Sequence, residues 1–389
     1  MPARPPPVTR PDRPPSREQC CHGEHDHQAD FGDLHVSPTA AMSESDGMNR
    51  DHPQPDKPLR SRDLGVVMGT MRPGRFNSIT DVSGIEVGHS TIVDTAAGIY
   101  SGVTAIVHDQ LRSGARLPAG LFVGNGFGKF VGATQVMELG QIETPVLLTS
   151  TLSTFLVADG LVAWALDTLP TRPTTINPVV GEINDSWLCG GGHRSVTHSH
   201  VRQALTSAAP GPVQMGNVGG GTGACALGFK AGIGSSSRQL DRVAGGTIGV
   251  LVQSNMGGDL TIGRRIIRPR ELGLKPAGPR PDDGSCIVVA AVDFPCASND
   301  LSRIARRLVF ALGRVGASYS HGSGDYGLAF SVDPDPGAAP MAGADLDLVF
   351  AAAMDCVQEA VVDSILCAET VHTPSGRIAH GLPHAALVD

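Results

Sequence analysis

Seven short runs of the chain are apolar at nearly every position instead of alternating: 102–108 (GVTAIVH), 119–124 (AGLFVG), 145–149 (PVLLT), 177–182 (NPVVGE), 247–253 (TIGVLVQ), 286–292 (CIVVAAV) and 326–332 (YGLAFSV). A strand with one wet face alternates apolar and polar residues, whereas a strand that is apolar throughout must be covered on both faces. Sheets of this kind need partner layers, so the chain reads as an α/β or α+β sandwich. Helical spacing supplies the covering layers. Thr151 or Ser153 caps a helix through Asp167, with Phe155, Leu156, Ala158, Val162 and Ala163 on one face. Thr197 or Ser199 caps a shorter helix through Ser207. Longer helices are expected over 297–313, with Asp300, Arg303, Arg306 and Arg307 as a polar face, and over 345–370. The segment 77–89 (NSITDVSGIEVGH) alternates around Ser83-Gly84 and reads as a hairpin. Glycine, 49 of 389 residues, and an aromatic content of 4% fit tight turns and close packing of small side chains. No internal repeat of fixed period is visible.

Residues 1–60 stand apart. They hold 11 of the 29 prolines but only five residues drawn from Val, Ile, Leu, Phe, Trp and Tyr. Too little apolar surface is available there to offset ordering entropy, so a disordered Pro/His-rich tail is expected, followed by one domain over 61–389. The tail cluster Cys20, Cys21, His22, His25 and His27 is read as an adventitious metal-binding tract. Thirty basic against 38 acidic residues, net charge −8, argues against a nucleic-acid partner. The N-terminus lacks an apolar signal core, and no apolar run approaches the ~18 residues of a span, so no membrane partner is expected. The eight cysteines are scattered without a pairing framework and several lie in apolar runs, which reads as reduced thiols in a cytoplasmic protein.

Three constellations could carry chemistry. Gly322, Gly324 and Gly327 match a dinucleotide-binding pattern but lead into a strand, not a helix, so they read as turns and close backbone approaches. Cys189, His193, His198 and His200 have ligand-like spacing but no carboxylate nearby to support them, and no metal or other cofactor is assigned. The third is 282–289 (DDGSCIVV), in which Ser285 opens a buried strand directly after Gly284. If the Gly284–Ser285 bond is strained, the Ser285 hydroxyl can attack the preceding carbonyl. The acyl shift and its hydrolysis leave Ser285 with a free α-amine, a base of pKa ~7.7–8.0 for its own hydroxyl. By pattern alone a Gly-Ser before a strand is usually just a turn.

Eight segments in register go further. They are 77–89, 118–140 (PAGLFVGNGFGKFVGATQVMELG), 143–151 (ETPVLLTST), 178–188 (PVVGEINDSWL), 216–234 (GNVGGGTGACALGFKAGIG), 249–257 (GVLVQSNMG), 283–289 and 322–331 (GSGDYGLAFS). Together they resemble the DmpA-like self-processing aminopeptidases, which include L-aminopeptidase D-esterase/D-amidases and β-peptidyl aminopeptidases. The resemblance implies an αββα four-layer sandwich similar to the N-terminal-nucleophile hydrolases but differently connected. It implies cleavage between Gly284 and Ser285 into a large chain ending at 284 and a small chain of 285–389, with Ser285 as nucleophile. By the same resemblance Asn255 helps form the oxyanion site, and Asp325 orients Ser323 toward the Ser285 amine. Some members carry Glu where this chain has Asp325, and an aromatic hydroxyl of the family falls on Asn184. Glu182 is a candidate partner for the free amine of the substrate, or a strand-end carboxylate in solvent. The implied substrates are short peptides and amino-acid amides or esters, cleaved through an acyl-enzyme. The implied assembly is a homo-oligomer, a tetramer of two-chain units.

Two rival readings stay open on residues alone. One is an acyltransferase of the ornithine acetyltransferase type, although that family uses Thr as nucleophile. The other is a glycine-rich ligand- or metal-binding protein that never cleaves itself.

Overall fold

The computed structural model describes residues 59–387, apart from 191–193, 244, 279–283 and 336–337. The tail with Cys20, Cys21, His22, His25 and His27, together with His193, Asp282 and Asp283, lies outside the described residues. Eleven strands build two sheets: β1 (Ile85–Asp94), β2 (Ile99–His108), β3 (Leu117–Gly126), β4 (Phe130–Val131), β5 (Gln141–Ile142), β6 (Val146–Ser150), β7 (Val179–Ile183), β8 (Ile233–Leu240), β9 (Gly246–Asn255), β10 (Ser285–Val292) and β11 (Gly324–Ser331). One sheet runs β1-β2-β6-β7-β4 and the other β8-β9-β10-β11-β3-β5. Four helices of nine residues or more cover them: α1 (Thr154–Thr168), α2 (His198–Thr206), α3 (Ser298–Leu312) and α4 (Gly343–Leu366).

The unbroken apolar runs explain the layering. Along β10, Ile287, Val289 and Ala291 point between the sheets, where they meet Val146, Leu148 and Val179. Cys286, Val288, Ala290 and Val292 point the other way, into a layer with Leu301, Ile304 and Leu308 of α3 and Val357 and Val361 of α4. On the far side, Val103, Ala105, Leu147 and Val180 pack on Val157, Leu161 and Trp164 of α1 and Val201 and Leu205 of α2. Each strand thus divides its side chains between two cores by simple alternation. The layers run helix, sheet, sheet, helix, the αββα sandwich that the family resemblance implies.

Three local expectations need correction. The hairpin is not within 77–89 but between β1 and β2, paired from Ile85–His108 to Asp94–Ile99. Residues 76–81 close on themselves instead, because Asp81 accepts the backbone N–H groups of Phe76 and Ser78 at 2.8 and 3.1 Å. Helix α1 buries Val157, Ala158, Leu161, Trp164 and Ala165, while Phe155 is exposed. That helix is apolar nearly all round, so periodicity could not choose its inner face. Asp300 is buried, not part of a polar face: it accepts the Met341 N–H at 2.8 Å and pairs with Arg303 at 3.2 Å.

Arg60, where the folded part was expected to start, is anchored on four partners. It pairs with Asp363 of α4 at 2.7 Å and donates to the carbonyls of Phe76, Asn77 and Ser235 at 3.2, 2.9 and 2.8 Å. Arg60→Ala strands a buried carboxylate and three carbonyls. The expected loss of unfolding free energy is ~3–5 kcal/mol, read by denaturant titration; a loss below ~1 kcal/mol would show that water replaces the guanidinium at no cost.

Candidate active site

Asn255 ends β9, Ser285 begins β10 and Gly324 begins β11. The register sets Asn255 opposite Ser285, and Ser285 opposite Gly324, so the three lie in one row at the same end of three adjacent strands. Alternation points the Ser285 side chain between the sheets, on the side of Ile287. Its Oγ accepts the Gly324 N–H at 3.2 Å, and the Gly284 carbonyl accepts the same N–H at 3.3 Å. One donor therefore serves both the hydroxyl oxygen and the carbonyl it would attack.

Space, not a left-handed backbone, calls for glycine at 284. A Cβ there would lie 3.1–3.3 Å from the backbone of Asn255, Met256 and Gly257. The Gly284–Ser285 bond therefore packs closely against the end of β9.

Ser323 and Asp325 flank Gly324. Ser323 Oγ donates to Asp325 Oδ1 at 2.8 Å, so the shorter acid reaches its partner. Both residues are buried, and Asp325 Oδ2 has no partner among the described residues. Burial raises the Asp325 carboxyl to about 6, against the opposing hydrogen bond from Ser323. The loop before it is held by Asn125, whose Nδ2 donates to the carbonyls of Ser320 and His321 at 3.1 and 3.0 Å, and also to that of Ser323.

The Asn255 carboxamide is held at both ends. Its Oδ1 accepts the Cys225 N–H at 3.0 Å, and its Nδ2 donates to the Asn184 carbonyl at 2.9 Å. Among the described residues its second amide N–H has no partner. Asn184 contributes that backbone carbonyl, and its own Oδ1 accepts the Ser186 N–H at 3.1 Å.

Glu182 is 1% exposed, which removes the reading of a strand-end carboxylate in solvent. It lies on β7 in the opposite sheet, brought close where Gly181 faces Ile287; a Cβ on Gly181 would lie 3.0 Å from that side chain. Glu182 Oε1 accepts the Lys129 N–H at 2.9 Å, with Lys129 Nζ at 3.6 Å, and Oε2 is buried without a partner among the described residues. Gly128 is the wedge between this carboxylate and the row of Asn255, Ser285 and Gly324. A Cβ there would meet Glu182 Oε1 at 3.0 Å and Gly324 Cα at 3.1 Å.

The structure thus brings Ser285, Asn255, Ser323, Asp325, Gly284 and Glu182 into one region. Sequence reasoning missed the Gly324 N–H and the Lys129 clamp. Their signal was present in two glycine-rich stretches, GNGFGK and GSGDYG, whose glycines meet back to back: a Cβ on Gly324 would lie 2.9 Å from Gly128 Cα. The Cys/His spacing is used otherwise, since His198 pairs with Asp159 at 2.9 Å and His200 Nδ1 accepts the Thr197 N–H at 3.0 Å. Among the described residues no group of three or more His, Cys, Asp or Glu is placed to hold a metal.

Residues 77–379 match Peptidase family S58. The chain belongs to that family. It is 34% identical over 362 residues to the β-peptidyl aminopeptidase BapA of Sphingosinicella microcystinivorans, covering 84% of this chain and 90% of that protein. Identity to BapA of Sphingosinicella xenopeptidilytica is 35% over 367 residues, with the same coverage. Among solved structures, the β-aminopeptidase of a Burkholderia species superposes with a TM-score of 0.77 at 34% identity, covering 85% of this chain and 97% of the other. The L-aminopeptidase D-Ala-esterase/amidase of Ochrobactrum anthropi, described as a prototype serine aminopeptidase and a variant of the Ntn hydrolase fold, gives 0.75 at 36% identity, covering 85% and 97%. This S58 member is accordingly a hydrolase, a self-processing serine aminopeptidase of the esterase/amidase type. The acyltransferase and non-cleaving alternatives give way to that assignment.

Proposed function

We propose that this S58 peptidase cuts itself between Gly284 and Ser285 and then removes N-terminal residues from short peptides, amino-acid amides and esters. The observation that carries the reading is the shared Gly324 N–H, which holds Ser285 Oγ beside the Gly284 carbonyl. In processing, Oγ attacks the Gly284 carbonyl carbon, and the Gly324 N–H meets the oxygen on which charge develops. The peptide nitrogen takes up the hydroxyl proton as the C–N bond breaks and leaves as the Ser285 α-amine, and water then hydrolyses the ester to the Gly284 carboxylate and the restored Ser285 hydroxyl. In turnover that amine takes the hydroxyl proton as Oγ attacks the substrate carbonyl. Asn255 Nδ2 meets the new oxyanion, the departing amine takes the proton, and water releases the acyl group from Ser285. The unpartnered Glu182 Oε2 suits the substrate ammonium, which would confine the enzyme to free N-termini. The named relatives are β-peptidyl aminopeptidases and an L-aminopeptidase D-Ala-esterase/amidase, so a panel of β-, L- and D-aminoacyl amides is the discriminating substrate set. We further propose a cytoplasmic homo-oligomer, to be checked by fractionation and light scattering.

The test is the intact mass of purified protein. Two species are expected, with the smaller beginning Ser-Cys-Ile-Val; a single uncut chain that still hydrolyses substrate would overturn the assignment of Ser285.

Asp325 yields a separate prediction. A carboxyl raised from 3.8 to about 6 favours the folded protein while protonated, and that contribution fades as pH rises through about 6. Asp325→Asn should therefore be at least as stable as wild type at pH 7.5. Yet it should turn over about tenfold more slowly, because Ser323 loses its charged acceptor. Below pH about 6 the wild-type log kcat/KM profile should steepen as Asp325 protonates on top of the Ser285 amine. The variant should lack that second break, and Asp325→Glu should retain more activity. A processed Asn variant with wild-type rate and pH profile would remove Asp325 from the mechanism.

A further inference from the structure

Lys230 is fully buried, and among the described residues no carboxylate pairs with it. Its Nζ donates to the Ala224 carbonyl at 2.8 Å and to the Ala231 carbonyl. Burying an ammonium on neutral acceptors is costly, and a fold that needed only packing here would use an apolar side chain. The chain takes trouble to place it. Cys225–Ala226 and Phe229–Lys230 form a tight hairpin with Cys225 opposite Lys230, turned by Leu227 and Gly228 at φ 52° and 87°. The hairpin is clipped to the end of β9 by the Leu227 N–H on the Met256 carbonyl at 2.8 Å, and to the C-terminal segment by the Lys230 N–H on the His380 carbonyl at 2.7 Å.

The ammonium is one peptide group away from the active site. The Ala224 carbonyl that it binds and the Cys225 N–H share a peptide plane. That N–H donates to Asn255 Oδ1 at 3.0 Å. The carboxamide then presents Nδ2, with one N–H on the Asn184 carbonyl and one free. Every donor in this line points the same way, so the positive charge withdraws electron density along it and strengthens each later donor. The neighbouring Cys225 thiol is pushed by burial up to about 12 and supplies no counter-charge. Burial lowers Lys230 to about 8, so at neutral pH it remains mostly an ammonium.

We propose that Lys230 is a positioning residue that polarises Asn255 through the Ala224–Cys225 peptide group, backing the oxyanion site with a buried positive charge. The proposal rests on the reading of Asn255 as oxyanion donor.

The experiment is a double-mutant cycle on full-length, self-processed enzyme, with the two-chain mass and fold of each variant verified. Lys230→Met keeps length and removes charge. Its kcat on an aminoacyl p-nitroanilide should fall about tenfold, a part of the ~10²–10³ carried by an oxyanion donor, with KM within about twofold. In the Asn255→Ala background the same change should cost less than about twofold, since the group it acts through is gone. Lys230→Gln, which keeps a neutral donor for the carbonyls, carries the same cycle if the Met variant does not fold, and Lys230→Arg should restore activity over Gln. An equal loss in both backgrounds, no loss in either, or a rise in KM with kcat unchanged overturns the relay and leaves Asn255 in place. If Asn255→Ala itself leaves kcat unchanged, the reading of Asn255 fails first and the relay with it.

Discussion

Ser285→Ala should yield a single chain of 389 residues with no detectable aminopeptidase activity. Both losses follow from one atom. Without Oγ nothing attacks the Gly284 carbonyl, so no α-amine is released; without amine or hydroxyl no acyl-enzyme forms. The fold should survive, because among the described residues Ser285 Oγ makes one hydrogen bond, accepted from a Gly324 N–H that the Gly284 carbonyl also accepts. Melting temperature should therefore stay within a few degrees of an uncut reference. Ser285→Thr and Ser285→Cys separate the two roles further. Each keeps a nucleophile, and any cleaved fraction can be assayed for turnover. A processed Ser285→Ala protein would mean that another nucleophile cuts the chain, and the row of Asn255, Ser285 and Gly324 would lose its meaning.

The layering was legible because burial on both faces leaves its mark directly in composition. The run 286–292 cannot be satisfied by one core, and the structure divides it between two. Ser285 at the start of that run was by pattern no more than a turn residue before a strand, and its role, like that of Asn255 at the end of the neighbouring strand, came from the resemblance of eight segments in register. What stayed hidden depends on contacts distant in sequence. Nothing in the order of residues says that Gly128 packs on Gly324, or that Gly181 lets Glu182 approach from the other sheet. The inner face of α1 was hidden for the opposite reason, an excess of apolar residues that suited several faces equally. Lys230 lies in a glycine-rich stretch with no pattern that marks it for burial. Only the hairpin register opposite Cys225 turns it inward.

Asn255→Ala should lower kcat by ~10²–10³ with KM nearly unchanged, the mark of a donor that acts on the transition state and little on bound substrate. Truncation also strands two buried partners, the Cys225 N–H and the Asn184 carbonyl, so a stability loss of ~1–3 kcal/mol should accompany it. A rate loss could then be blamed on a slack site, and Asn255→Asp separates the two causes. Aspartate keeps an oxygen for the Cys225 N–H at nearly the same place, but its second oxygen faces both the Asn184 carbonyl and the developing oxyanion. An acceptor there repels what the amide attracts, and as a carboxylate it adds a negative charge. Asn255→Asp should therefore be at least as slow as Asn255→Ala although it retains the Cys225 hydrogen bond. If Asp recovers most of the wild-type rate, the Asn255 amide only braces the 224–225 peptide, and the oxyanion must be met by a backbone donor such as the Gly324 N–H.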